Sequence, residues 1–180
     1  MTNINQKEKI LKERAKLLQV AVEEVKNRGE QIDGLEFLLS GETYAIDSNF
    51  VSEVIHLKYL TPLPCTPAFI LGIINIRGKI ISIIDIKKFF NLPEKEISNI
   101  NKVIIVKHND IEVGLLVDEI LGNTGIYLDT LQKKITSITE VPENFIVGVS
   151  KKRVILLDIK EILSNQKIIV DEEINKQTGG

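Results

Sequence analysis

The 180-residue chain has no Trp, a single Cys (Cys65), two His (His56 and His108) and only 5% aromatic residues. One thiol excludes a disulfide framework, and without a nearby His it has no base to activate it as a nucleophile. No phosphate-cradling glycine loop, His-Glu-x-x-His, Cys-x-x-Cys or nucleophile elbow occurs, so no catalytic residue, metal ligand or cofactor is expected. Lys, Arg, Asn or Asp interrupts each apolar run before it reaches membrane-spanning length, which argues against direct membrane insertion. The start, MTNINQKEKI, lacks the apolar core of a signal peptide, so cytoplasmic residence is the default expectation. A net charge of −2 and the scarcity of aromatic platforms argue against a nucleic-acid partner, leaving Lys151-Lys152-Arg153 as a solvated turn.

What the chain does have is aliphatic residues, in short Ile, Val and Leu runs bounded by Gly, Pro, Asn and Asp. That pattern suits strands buried in small barrels or sandwiches. It also repeats. Gly72–Phe90 reads GIINIRGKIISIIDIKKFF and Gly148–Leu163 reads GVSKKRVILLDIKEIL. In both, a glycine, a turn and an apolar run ending in Asp-Ile-Lys lead into a short apolar helix. A repeat this long points to two related sub-folds rather than a solenoid. Upstream, residues 36–47 and 103–118 read as hairpins turning at Ser40-Gly41 and Asn109-Asp110. The halves therefore fall at about 35–92 and 101–163, with TPLPCTP at 61–67 as an extended connector. Residues 1–33 are a separate extension, in which Ile10, Leu11, Ala15, Leu18, Val22 and Val25 recur at helical spacing as one amphipathic helix. The tail, 164–180, is polar apart from Ile168-Ile169-Val170.

Two β-rich halves that each end a strand in Asp, at Asp85 and Asp158, resemble in outline the paired carboxylates of an aspartic hydrolase. The local sequence favours a simpler role. Each Asp precedes Ile-Lys and an apolar helical turn, which suits an N-cap bonded to the backbone of Lys87-Lys88 or Lys160-Glu161.

Only the first copy contains Asn75-Ile76-Arg77-Gly78. On a strand through Ile73–Arg77, alternation sends Ile74 and Ile76 to the core and Ile73, Asn75 and Arg77 to the other face. A planar guanidinium beside apolar surface is what a protein-binding hot spot needs. An ordinary edge-strand arginine in a surface ion pair would read the same way, so the residues alone leave both open.

The run TPAFILGIINIRGKIISIIDI at 66–86 resembles the signature of the CheW family of chemotaxis coupling proteins. The resemblance extends through the hairpin at 35–47, VSEVI at 51–55, VGLLVD at 113–118 and VILLD at 154–158. It implies a mainly β fold of two packed five-stranded, SH3-like barrels related by the internal repeat. It also implies a protein without catalytic activity. The implied partners are the histidine kinase CheA, through its CheW-like regulatory domain, and the cytoplasmic tips of methyl-accepting chemoreceptors in arrays at the membrane.

By the same resemblance Glu53, Asn75, Arg77 and Gly78 fall on interaction positions, and a Glu53–Arg77 pair holds the guanidinium in its binding pose. Val51, Gly72 and Ile120 are further candidates, for the groove between the halves. Three residues depart from the family pattern: Ser82 for Pro, Ile76 for Leu, and Lys87 for a frequent Arg, which gives up bidentate geometry. An adaptor of a non-flagellar chemosensory pathway and a generic β-barrel binding module are the alternatives. Weak self-association and the role of the N-terminal helix are left open.

Overall fold

The computed structural model describes residues 29–93, 102–133 and 139–168. The amphipathic stretch before Gly29 and the tail beyond Ile168 lie outside them. The described strands are β1 (Gln31–Leu39), β2 (Glu42–Asp47), β3 (Val51–His56), β4 (Ile70–Ile76), β5 (Lys79–Asp85), β6 (Lys102–His108), β7 (Ile111–Val117), β8 (Glu119–Tyr127), β9 (Ile146–Val149) and β10 (Ile155–Leu157). Two five-residue helices follow β5 and β10: α1 (Ile86–Phe90) and α2 (Ile159–Leu163).

Both expected hairpins form. Leu39 pairs with Glu42 across Ser40-Gly41, and His108 pairs with Ile111 across Asn109-Asp110. Ser40 and Asn109 take φ of 52° and 53°, the left-handed region that a two-residue reversal demands. Asp85 and Asp158 cap the helices. Asp85 accepts the Lys87 and Lys88 N–H groups at 3.1 and 3.3 Å, and Asp158 accepts those of Lys160 and Glu161 at 3.0 and 3.2 Å. Their carboxylates are thus held by backbone rather than turned toward each other's chemistry.

The strands form two five-stranded sheets, ordered β8-β1-β2-β10-β9 and β3-β6-β7-β5-β4. The sequence halves at 35–92 and 101–163 do not each form a sheet. Each hairpin is flanked by the other half's strands, so the two copies are interleaved. The crossings are short: three residues, Ser48–Phe50, separate β2 from β3, and Asp118 alone separates β7 from β8. Through each of these short links the chain passes from one sheet to the other.

Packing follows the crossing. One large apolar cluster joins the sheets, with Phe37, Tyr44 and Ile46 of one meeting Ile84, Ile104 and Leu115 of the other, closed by residues of α1 and α2. Each sheet keeps a smaller cluster of its own, around Ile83, Val103 and Ile105 in one and Ala45, Ile126 and Leu156 in the other. β6 therefore buries both faces, Ile104 and Val106 toward the shared core and Val103 and Ile105 away from it, which explains its unbroken apolar run. Tyr44 is fully buried, its hydroxyl bonded to Glu42 at 2.9 Å and Thr139 at 2.8 Å, and burial pushes the phenol far above its ordinary range.

Among the described residues one ion pair lies inside. Lys87 Nζ donates to Asp118 Oδ1 at 2.6 Å with both side chains almost fully buried. Asp118 Oδ2 also accepts the Ser40 N–H at 2.7 Å, and the Asp118 N–H donates to the Leu38 carbonyl at 3.1 Å. The network ties α1, the β1–β2 turn and the β7–β8 crossing together. Lys87 is therefore a structural residue, not a surface contact.

Candidate protein-docking site

The β4–β5 hairpin carries the residues singled out above. β4 ends at Ile76, which pairs with Lys79, so Arg77 and Gly78 form a two-residue turn with φ of 51° and 86°. Arg77 is thus not the last residue of an alternating strand, as its sequence suggested, but the tip of the hairpin. Positive φ at both central positions matches the right-handed twist of the flanking strands. An added Cβ at Gly78 would meet nothing within 4 Å, so the backbone conformation rather than crowding calls for glycine there. Asn75 fastens the turn, its Oδ1 accepting the Gly78 N–H at 2.9 Å.

Arg77 projects into solvent with its side chain 83% exposed, and its Nη2 reaches Glu53 Oε2 on β3 at 3.3 Å. A pair this exposed contributes only about 0–1 kcal/mol to stability. Its consequence is orientation: the guanidinium is aimed, and most of its donors face outward. Apolar surface lies beside it. Ile80, the cross-strand partner of Asn75, is 62% exposed. Sequence reading passed over Ile80 because it sits in an apolar run; the signal is that Ile81 and Ile83 already supply the inward face. At the foot of the hairpin, a groove of about 340 Å³ runs from Ile55–Tyr59 to Ile73–Ile76.

Gly72, Val51 and Ile120 stand apart from this tip. Gly72 is buried with φ 148°, and a Cβ there would lie 2.2 Å from the Thr61 carbonyl oxygen. The glycine lets Thr61 and Ile73 exchange backbone hydrogen bonds of 2.9 and 2.8 Å, which ties the proline-rich connector to β4. Val51 and Ile120 occupy equivalent places. Each precedes a register shift on β3 or β8, each is half-buried, and each packs on the shared core.

The second copy shows what is particular to the first. The Val149–Gln132 backbone bridge matches the Ile73–Thr61 bridge. From Val149 the β9–β10 pairing goes no further toward the turn, whereas β4–β5 continues from Ile73 through Ile74, Asn75 and Ile76. The longer arm is the part that bears Asn75 and Arg77. Opposite it, the position one register step past the bulge is Glu53 on β3 but Gly122 on β8. The shorter turn presents Lys151, Lys152 and Arg153, all exposed, with no acidic partner in salt-bridge range among the described residues.

No helix among the described residues is long and apolar enough to cross a membrane. The CheW-like domain family matches residues 33–167, which takes in both sheets except the first two residues of β1 and excludes the amphipathic stretch. The chemotaxis protein CheW of Treponema pallidum is 30% identical over 146 residues, covering 77% of this chain and 86% of that one. The CheW of Bacillus subtilis is also 30% identical, over 76% of this chain and 91% of its own. A crystal structure of a CheW scaffolding protein from Thermoanaerobacter tengcongensis superposes with a TM-score of 0.65 at 31% identity, covering 74% of this chain and 88% of the other.

Proposed function

The chain belongs to the CheW-like domain family and is a chemotaxis coupling protein, and from that premise we propose that it links the cytoplasmic tips of methyl-accepting chemoreceptors to the histidine kinase CheA. It does so in the cytoplasm and without catalysis of its own. One observation carries the reading: an arginine at a hairpin tip, aimed by Glu53 and with exposed Ile80 on the same hairpin, exists in one copy of the repeat alone. A guanidinium with outward donors beside apolar surface suits the carboxylate-and-aliphatic face of a partner.

Coupling needs more than attachment. An adaptor shifts the kinase between on and off states only by the difference between its contacts in the two, typically about 1–3 kcal/mol. The interleaved sheets favour transmission, because a displacement at the β4–β5 tip is carried by β5 into α1 and the buried Lys87–Asp118 pair. The test is titration of a receptor hairpin fragment, and separately of the CheA regulatory domain, into the parent and Arg77→Ala. Loss of roughly tenfold or more in affinity for at least one partner, with unchanged circular dichroism, is expected. Equal affinity for both would remove Arg77 from the site.

A further inference from the structure

A second ion pair holds the β4–β5 tip, on the side of β7. Lys79 Nζ on β5 reaches Glu112 Oε2 on β7 at 3.2 Å, the lysine side chain 68% exposed and the glutamate side chain only 19%. The β5–β7 ladder runs from Ser82 to Asp85. Residues 79–81 lie past its end and take their strand pairing from β4 alone, so the tip is an overhanging two-stranded arm.

Period-two alternation places the charges around this arm on one face of the sheet. Lys79 shares that face with Ile83, Lys107 with Ile105, Glu112 with Leu116 and Glu53 with Ile55, and these four aliphatic residues all belong to the small core of this sheet. At the end of that core the charges alternate in sign in the order of the strands. Glu53 comes from β3, Lys107 from β6, Glu112 from β7 and Lys79 from β5, and Arg77 at the tip returns to Glu53. Lys107 stands opposite Glu112 across the ladder, yet the carboxylate takes its ion pair from Lys79 on the arm. In the second sheet the corresponding register positions of β8, β1 and β2 are Gly122, Leu38 and Thr43, and none is acidic.

We propose that Glu112 and Lys79 are positioning residues for Arg77, closing a collar of alternating charge that fixes where the hairpin tip points. Glu53 restrains the arm from β3 and Glu112 restrains it from β7, two anchors on opposite sides of the arm. With one anchor the overhang swings about its end; with both it keeps a single direction. Pairs this exposed add little to global stability, so the loss of one is read in the motion of the tip and in binding rather than in unfolding. The effect on affinity rests on docking through Arg77, whereas the effect on the order of the tip does not.

The test is backbone ¹⁵N relaxation of the Gly78 and Ile80 amides in the full chain at low salt, paired with titration of the receptor hairpin fragment and of the CheA regulatory domain. The parent tip is expected to show order parameters near about 0.85, falling toward about 0.6 in Glu112→Gln and in Lys79→Gln, while Lys79→Arg keeps the parent value. For the partner that Arg77→Ala weakens, both glutamine variants and their combination lose the same factor, about two- to threefold, because the pair acts as a unit. High salt removes the difference. Order parameters unchanged in both glutamine variants would overturn the collar. Weakening by Lys79→Gln but not by Glu112→Gln would overturn the positioning role and make the lysine a direct contact. Should Arg77→Ala leave both affinities intact, the docking reading falls and the relaxation alone decides the collar.

Discussion

The β4–β5 and β9–β10 hairpins begin alike and end differently. Each leaves a glycine and a bridge to its preceding connector, and each leads into an Asp-capped helix. The first runs on to display Arg77 against Glu53, whereas the second stops short, opposite Gly122, in three exposed cations. The two copies share a frame and diverge at its tip. Here the divergence is a few residues of strand and one carboxylate.

The largest effect expected from sharpening this comparison concerns the helix lysines. Lys87 and Lys160 are equivalent in the repeat, but Lys87 is buried on Asp118 while Lys160 lies exposed, 5.7 Å from the Phe50 ring centroid. Lys87→Ala strands a buried carboxylate and should destabilise by about 3–5 kcal/mol in chemical denaturation. Lys160→Ala should cost about 1 kcal/mol or less. Similar losses for both would mean that the interior pair is not a strut.

The bridging glycines come next. Gly72→Ala places a methyl against backbone at a positive φ and should cost about 3 kcal/mol in the same measurement. Gly148→Ala meets the Leu131 side chain at 2.8 Å instead and should cost about 1–2 kcal/mol. A reversed order would place the tighter backbone approach in the second copy.

Smaller still is the separation of display from fold. Arg77→Gly suits the left-handed turn, so its stability should stay within about 1 kcal/mol of the parent while partner affinity falls. Glu53→Gln keeps the guanidinium but removes its charged support, and affinity should drop about two- to fivefold, shrinking as salt is added. An affinity unmoved by Glu53→Gln at low salt would show that the arginine needs no aiming.

Much of this architecture was legible because it is written locally. Ser40-Gly41 and Asn109-Asp110 announce reversals, and Asp85 and Asp158 sit where only a cap makes sense. The interleaving was not legible, since a three-residue link such as Ser48–Phe50 is compatible with a hairpin as well as with a crossing, and no residue type records which sheet the next strand joins. Arg77 was placed on a strand because period-two alternation carries no mark of its last residue; the Arg77-Gly78 pair, read as a turn, would have moved it to the tip. Lys87 concealed itself by type, for a lysine is rarely interior, and its Asp118 partner is 31 residues away. Glu53 and Gly122 became comparable only once the two register shifts were visible.

The most direct measurement is a paired titration of a receptor hairpin fragment and of the CheA regulatory domain against two folded variants, Arg77→Ala and the combined Lys151→Ala, Lys152→Ala and Arg153→Ala. The asymmetric repeat predicts that Arg77→Ala weakens at least one partner about tenfold or more and that the triple variant stays within about twofold of the parent for both. Loss of binding in the triple variant with Arg77→Ala unaffected would contradict it.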